Sequence, residues 1–348
     1  MQLVGEPHFR FVRDNFSRMT NIREKSPCCR ERVRRFGARR RQCVRCGKTW
    51  RVWKKKRGRK KKRIGVDAAE KFVRHRALPT RAPQSGVPQT RNERQYRLSR
   101  SRAVCAHALP WPDLPEHGAL IAIADALVKY IENEWHTWYF ILVRRPVDDH
   151  AAILPSYHRK GTETVAGWRA AFDKVDPAIR SRIMALVCDG HRGLRYEARW
   201  QGWLLQRCHF HLIARIQSRR SKWRTSQHWK EGNHIFGLVK RILTEPDSAS
   251  LRFAIEELEE IGWTNRSPEI RRILSGFVNN HSEFRTYLEH CSLRLPITSN
   301  TAESLIGLVE DVSRRARGFK LIDTFNEWVA CVIKTRKTIR CLPPKSTN

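Results

Sequence analysis

The sequence predicts an α/β fold in which strands and helices alternate around one core, with a largely helical insertion and a small cysteine-bearing region in front. Three observations lead there. Apolar runs of strand length occupy residues 119–126, 137–143, 151–154 and 183–188, with a helical pattern at 162–175 between the third and fourth. Residues 217–290 then keep helical spacing almost throughout, as in 251–261, where Phe253, Ile255, Leu258 and Ile261 recur on one side. Four of the ten cysteines crowd into residues 28–46, well before the first long apolar run.

The 348 residues suffice for two or three domains and a sizeable core. A net charge of +35 favours a polyanionic partner, nucleic acid first among them. There is no run of roughly 18 apolar residues, so no membrane span is expected. The first residues alternate charged and aromatic side chains and lack the apolar segment of a secretory signal. The expected location is therefore inside the cell, where structural disulfides are rare and clustered cysteines point to metal.

The N-terminal region contains Cys43-Val44-Arg45-Cys46-Gly47, a knuckle that lets two thiolates reach one tetrahedral ion. A second C-x-x-C is the usual partner, but Cys28 and Cys29 are adjacent here and Ser26 stands where an outer ligand would. Two readings stay open. Zinc is held by Cys28, Cys29, Cys43 and Cys46, or by part of that set with His8 or water; or the thiols sit reduced in a metal-free hairpin. The run Lys54, Lys55, Lys56, Arg57, Gly58, Arg59, Lys60, Lys61, Lys62, Arg63 repels itself and is read either as a solvated linker or as a phosphate-binding arm. Helical patterns at 65–80 and 91–107 suggest a helix-turn-helix with Arg94, Arg97, Arg100 and Arg102 facing DNA. Pro110, Pro112 and Pro115 mark a boundary near residue 115. The expected division is 1–64 (ribbon-like region and basic arm), 65–115 (helical region and linker), 116–216 (first part of the core), 217–295 (helical insertion) and 296–348 (C-terminal helices of the core).

Within the core, the first strand ends in Asp125 and the fourth in Asp189-Gly190. A turn is the ordinary use of Asp-Gly, but a carboxylate at the mouth of a buried sheet is costly unless something positive meets it. Thr162 is the expected cap of the helix that follows the third strand. Cys208 and His211, spaced i, i+3 at the start of a helix, read as packed core residues or as a metal pair. Trp223, Trp229 and Trp263 in the helical segment are expected to be largely packed, and stacking on a flipped or unpaired base is the other role open to them. Asn300 with Glu303 three residues on resembles a capping box, and Arg314, Arg315, Arg317 and Gly318 suit the end of that helix. A last helix is expected over 324–339, with a frayed tail from Pro343.

Four blocks occur in order: Asp125-Ala126-Leu127-Val128-Lys129, Asp189-Gly190-His191-Arg192-Gly193-Leu194, Gln206-Arg207-Cys208-His209-Phe210-His211 and Asn300-Thr301-Ala302-Glu303. Together they resemble the Asp-Ala-x-x-Lys, Asp-Gly-x-x-Gly-Leu, Gln-Arg-Cys-x-x-His and Asn-x-x-Glu blocks of Mutator-type DDE transposases, a superfamily that includes many bacterial insertion-sequence transposases. The resemblance covers about residues 119–335. It implies a ribonuclease-H-like core with a helical insertion, in which the first and fourth strands lie side by side. It implies Asp125, Asp189 and Glu303 as catalytic residues that hold Mg²⁺ or Mn²⁺, with Cys208 and His211 supporting the site structurally. It implies double-stranded DNA, both element ends and target, as partner, a homo-oligomer on that DNA, and a bacterial, nucleoid-associated location. Elementary chemistry agrees: three packed carboxylates repel unless cations neutralise them, and hard oxygen donors suit Mg²⁺. The competing reading is a transposase-derived DNA-binding regulator with an inactive core.

Overall fold

The computed structural model describes residues 25–36, 40–51, 99, 102–223, 229–315 and 319–341. The chain forms two compact units, residues 1–63 and 64–348.

In the first unit, β1 (Val33–Arg35), β2 (Arg40–Cys43) and β3 (Thr49–Arg51) form an antiparallel sheet in that order. The register pairs Val33 with Cys43 and Gln42 with Thr49. Among its described side chains only Ser26 and Cys43 are buried. Apolar burial therefore contributes little, and turns and side-chain hydrogen bonds give the sheet its shape.

The second unit is a mixed α/β structure. β4 (Leu120–Ile131) and β5 (Glu134–Arg144) make a long antiparallel hairpin. Glu132 and Asn133 turn it with φ of 54° and 63°, the left-handed pair that matches the twist of a two-residue loop. β4 thus runs six residues beyond Asp125, which lies mid-strand and not at a strand end. β6 (His150–Ile153) and β7 (Tyr157–Lys160) pair with opposite halves of β5. On the other flank, β8 (Ile183–Cys188) runs parallel to β4 and β9 (Leu204–Arg207) parallel to β8. β10 (Thr338–Arg340) closes the β6 edge, so the order is β10-β6-β5-β4-β8-β9. β7, β9 and β10 had no counterpart in the sequence reading; each is only three or four residues long, too short for a periodic signal.

Alternation along β4 and β5 divides the interior into two layers. Leu120, Ala122, Ala124, Tyr139 and Ile141 face α1 (Val165–Asp173), α2 (Pro177–Arg180) and α3 (Arg192–Gln201), whose Trp168, Phe172, Leu194 and Ala198 fill that side. Thr164, not Thr162, caps α1, its hydroxyl accepting the Gly167 N–H at 3.0 Å. Ile121, Ile123, Leu127, Trp138 and Phe140 face α9 (Asn300–Arg315) and α10 (Ile322–Arg336), which contribute Leu305, Val309, Phe325 and Val329. Each large side chain buried this way stabilises the fold by about 1.5–3 kcal/mol. Arg144, fully buried at the end of β5, donates to the carbonyls of Asp148 and Arg294 and pins that corner.

Between these layers in sequence lies a helical block: α4 (His209–Trp223), α5 (Trp229–Thr244), α6 (Ser248–Thr264), α7 (Pro268–Val278) and α8 (Ser282–Glu289). It has its own apolar cluster, with Ile216, Ile235, Leu258, Ile273, Phe277 and Phe284 inside. Trp229 and Trp263 are exposed, the latter by 78 %, contrary to the packed role expected of them. Helical spacing does not by itself say which side of a helix the core takes. The Trp223 side chain lies outside the described residues. No helix among the described residues is long and apolar enough to cross a membrane.

Candidate active site

The parallel register of β4 and β8 pairs Ile123 with Val187. Two residues further on lie Asp125, within β4, and Asp189, just past the end of β8. Asp125 takes the odd-numbered side of β4, the layer covered by α9, and Glu303 stands in the first turn of α9. The three acids therefore lie near one another where β8 ends, close enough for the charges of Asp189 and Glu303 to act on Asp125. Burial pushes the Asp125 carboxyl up to about 7, and the charges of Asp189 and Glu303 add to that push. Its Oδ1 accepts the next backbone N–H, from Ala126, at 2.8 Å.

Asp189 forms the turn that Asp-Gly predicts. Its Oδ1 accepts the His191 N–H at 2.8 Å across Gly190, whose φ of +94° only glycine adopts without strain. The turn fixes the carboxyl at the mouth of the sheet. The capping box expected at Asn300 does not form. α9 already includes Asn300, and Glu303 accepts instead from the Ser299 hydroxyl at 3.1 Å.

Cys208 lies between β9 and α4, its N–H bonded to the Cys188 carbonyl at 2.7 Å. Its Sγ accepts the Ser299 N–H at 3.3 Å, at the entry to α9. His211, one turn along α4, brings Nδ1 within 3.5 Å of Glu303 Oε1. The Cys208 side chain pushes His211 up to about 9, while His211 and Ser299 lower the Cys208 thiol. The rest of that sequence block joins the helical block to the sheet. Gln206 donates to the Phe284 carbonyl and accepts the Tyr287 N–H, both at 2.9 Å, and His209 Nε2 lies 2.7 Å from the Phe284 carbonyl. Lys129, which closes the Asp125 block, pairs with Glu310 of α9 at 3.7 Å and so ties strand to helix.

Several neighbours escaped the sequence reading. Glu163, in the loop before α1, accepts from Trp168 Nε1 at 2.6 Å and lies 3.2 Å from His191 Nδ1; burial raises its pKa, and Asp189 adds to this. Arg207 lies against Gly190, stacks on Phe284 at 4.4 Å and faces Glu283 at 3.6 Å. Glu283 also meets Arg195 and Arg199, at 2.8 and 3.2 Å. On the exposed side of α3, Tyr196 and Trp200 stack at 6.4 Å, and the Arg169 guanidinium sits 5.0 Å from the Trp200 ring. The i, i+4 aromatic pair next to arginines was the signal that could have revealed this last patch.

In the first unit, the ligand atoms of Cys28, Cys29, Cys43 and Cys46 lie within 4.8 Å of one another, with Cys28 and Cys46 sulfurs 3.3 Å apart. The adjacent pair thus reaches the knuckle. Ser26 is not an outer ligand position: its hydroxyl accepts the N–H groups of Cys29 and Glu31 and shapes the turn. It also draws Cys43 down to about 6, whereas the hydrogen bond to Cys46 and burial drive Cys29 up to about 12. His8, the basic run 54–63, Arg94, Arg97 and Arg100 lie outside the described residues. Arg102 does not face outward for DNA; it bonds Glu327 at 2.8 Å and is largely buried.

No curated protein sequence matches the chain. The sequence profile of the Mutator family of transposases matches residues 145–332. That stretch exceeds half the chain and includes Asp189, Cys208, His211 and Glu303, and Asp125 is brought to the same place by the neighbouring strand. The chain belongs to the Mutator family of transposases.

Proposed function

We propose that this transposase cleaves and joins DNA phosphodiesters with divalent metal held by Asp125, Asp189 and Glu303. The observation that carries the reading is the approach of three carboxyls from distant segments, one of them pushed to about 7 by burial and by the charges of the other two. Clustered carboxylate oxygens fit Mg²⁺ or Mn²⁺. When bound, such ions lower the pKa of an attacking oxygen and stabilise a leaving one. The chain's own residues orient and enclose. The Gly190 turn aims Asp189, Ser299 and His211 hold Glu303, and Cys208 anchors the entry to α9. The attacking oxygen belongs to water in cleavage and to a DNA 3′-hydroxyl in strand transfer. The side-by-side placement of β4 and β8, the strands expected first and fourth from the sequence, supports a ribonuclease-H-like core.

The four gathered thiols support a zinc ribbon, and the run Lys54 to Arg63 serves as a phosphate-binding arm. On α3, Arg192, Tyr196 and Trp200 are exposed along a helix that starts three residues after Asp189, and they form a second DNA surface. Two element ends call for at least two protomers on DNA, in the bacterial nucleoid. Asp125→Asn, Asp189→Asn and Glu303→Gln should each abolish Mg²⁺-dependent strand transfer while leaving DNA binding intact. Near-normal joining by any one of them removes that residue from the site. Trp200→Ala should weaken DNA binding about tenfold; unchanged affinity removes the α3 surface.

A further inference from the structure

The Cys208, His211 and Glu303 side chains offer one sulfur, one nitrogen and one oxygen, all within 4.8 Å of one another. Two observations single this group out from ordinary packing. His211 Nδ1 is enclosed yet makes no hydrogen bond among the described residues, although it faces Glu303 Oε1 at 3.5 Å. The Cys208 sulfur is completely buried and is held in place from two sides: its own N–H is bonded to the Cys188 carbonyl, and its Sγ accepts the Ser299 N–H. The donors come from the start of α4 and the start of α9, segments fixed to each other by the backbone bond from His209 N–H to the Ile297 carbonyl at 2.9 Å.

The chemistry of this set differs from that of the three acids. Magnesium selects hard oxygens and octahedral surroundings, and a thiolate with an imidazole offers it little. Zinc and cadmium favour sulfur and nitrogen, and three protein ligands with one open position is a common zinc arrangement. Glu303 belongs to both sets. An ion captured by Cys208 and His211 would draw the Glu303 carboxylate toward the sulfur side.

We propose that Cys208, His211 and Glu303 form a site for a thiophilic divalent ion, zinc in the cell, whose occupancy withdraws Glu303 from Asp125 and Asp189 and stops DNA joining. This rests on the reading of Glu303 as a ligand of the catalytic metal. The transposase is then silenced by free zinc and active when zinc is scarce, with magnesium constant.

The test uses the full chain, stripped of metal and reloaded with cadmium, with Cys208→Ser and His211→Asn alongside. Wild type should bind one more cadmium than Cys208→Ser and show the stronger thiolate-to-cadmium absorption in the near ultraviolet. His211→Asn should bind that extra ion at least about a hundredfold more weakly. In Mg²⁺, micromolar zinc should suppress strand transfer by wild type. Measured against its own zinc-free rate, each variant should need far more zinc for the same suppression. Equal cadmium content in folded wild type and Cys208→Ser overturns the site, circular dichroism reporting the fold. A lost ion with unchanged zinc sensitivity overturns the switch. Joining by Glu303→Gln overturns the catalytic reading instead, and the cadmium count separates that failure from this one.

Discussion

The two donor clusters of this chain are built in opposite ways. The four thiols come from Cys28 to Cys46, two turns of one small sheet whose described side chains bury almost nothing apolar. The three acids come from Asp125, Asp189 and Glu303, and two apolar layers frame them: Ile123, Leu127, Leu305 and Val309 on one side, Ala124, Trp168, Phe172 and Leu186 on the other. A frame of that size folds without help from its donors, and can tolerate donors that repel. A sheet of three short strands cannot. On the proposal that both clusters hold metal, gathering the donors should therefore stabilise one unit and cost stability in the other until metal arrives.

The largest expected effect breaks the first unit alone. Structural zinc contributes about 10–16 kcal/mol of binding free energy that is also folding free energy. Removal with a strong chelator should expose residues 33–51 to hydrogen exchange and proteolysis while residues 120–340 keep their protection. Undiminished protection of β1–β3 in chelator would mean that the hairpin stands metal-free. The next effect falls only on the second cluster. Glu303→Gln should reduce strand transfer by roughly a thousandfold or more, about 4 kcal/mol of barrier, with the exchange pattern of the first unit unchanged.

The third effect has the opposite sign. The Asp125 carboxyl, ordinarily at 3.8, is raised to about 7 by burial and by its acidic neighbours. The folded state therefore holds this proton more tightly than the unfolded chain does. Its stabilising contribution is complete below about pH 4 and is lost as pH rises through 7. Asp125→Asn has no such proton to lose. Without metal at pH 8 it should be about 2–4 kcal/mol more stable than wild type in urea, with the gain gone near pH 4. Added Mg²⁺ should close the gap by stabilising wild type alone. A variant no more stable than wild type at pH 8 would mean that Asp125 is already compensated within the protein.

These contrasts also explain what the sequence disclosed. Local devices were legible: the Cys43–Cys46 knuckle, the Asp189-Gly190 turn and the long apolar strands each leave a signature within a few residues. The three acids could be proposed together as well, because four blocks occur in order and carry a family resemblance. What stayed hidden was relational. Nothing near Glu163 announces that it will stand beside His191, and nothing near Glu283 that three arginines will converge on it. The cap expected at Asn300 failed because Ser299, tied to Cys208 from ninety residues upstream, starts the helix one residue sooner. Arg102 looked like a DNA contact from its neighbours in sequence and proved to be a partner of Glu327.

The smallest effect puts the comparison at the level of one atom. Each cluster has a left-handed glycine beside a donor: Gly47 after Cys46, with φ +73°, and Gly190 after Asp189, with φ +94°. An added Cβ at Gly47 meets nothing nearer than Gln42 Nε2 at 3.9 Å, so Gly47→Ala should cost only the backbone strain, about 1 kcal/mol. An added Cβ at Gly190 runs into the Arg207 guanidinium. Arg207 is hemmed in, with Phe284 against its face, Glu283 beside it and its Nε buried without a partner. Gly190→Ala should therefore cost about 2–3 kcal/mol, since displacing a largely buried cation adds to the strain. It should also slow joining, because the turn it distorts aims Asp189. Hydrogen exchange in each unit reads the two costs separately. Equal costs would mean that Arg207 yields freely, and that the acidic cluster is no more rigidly framed than the thiols.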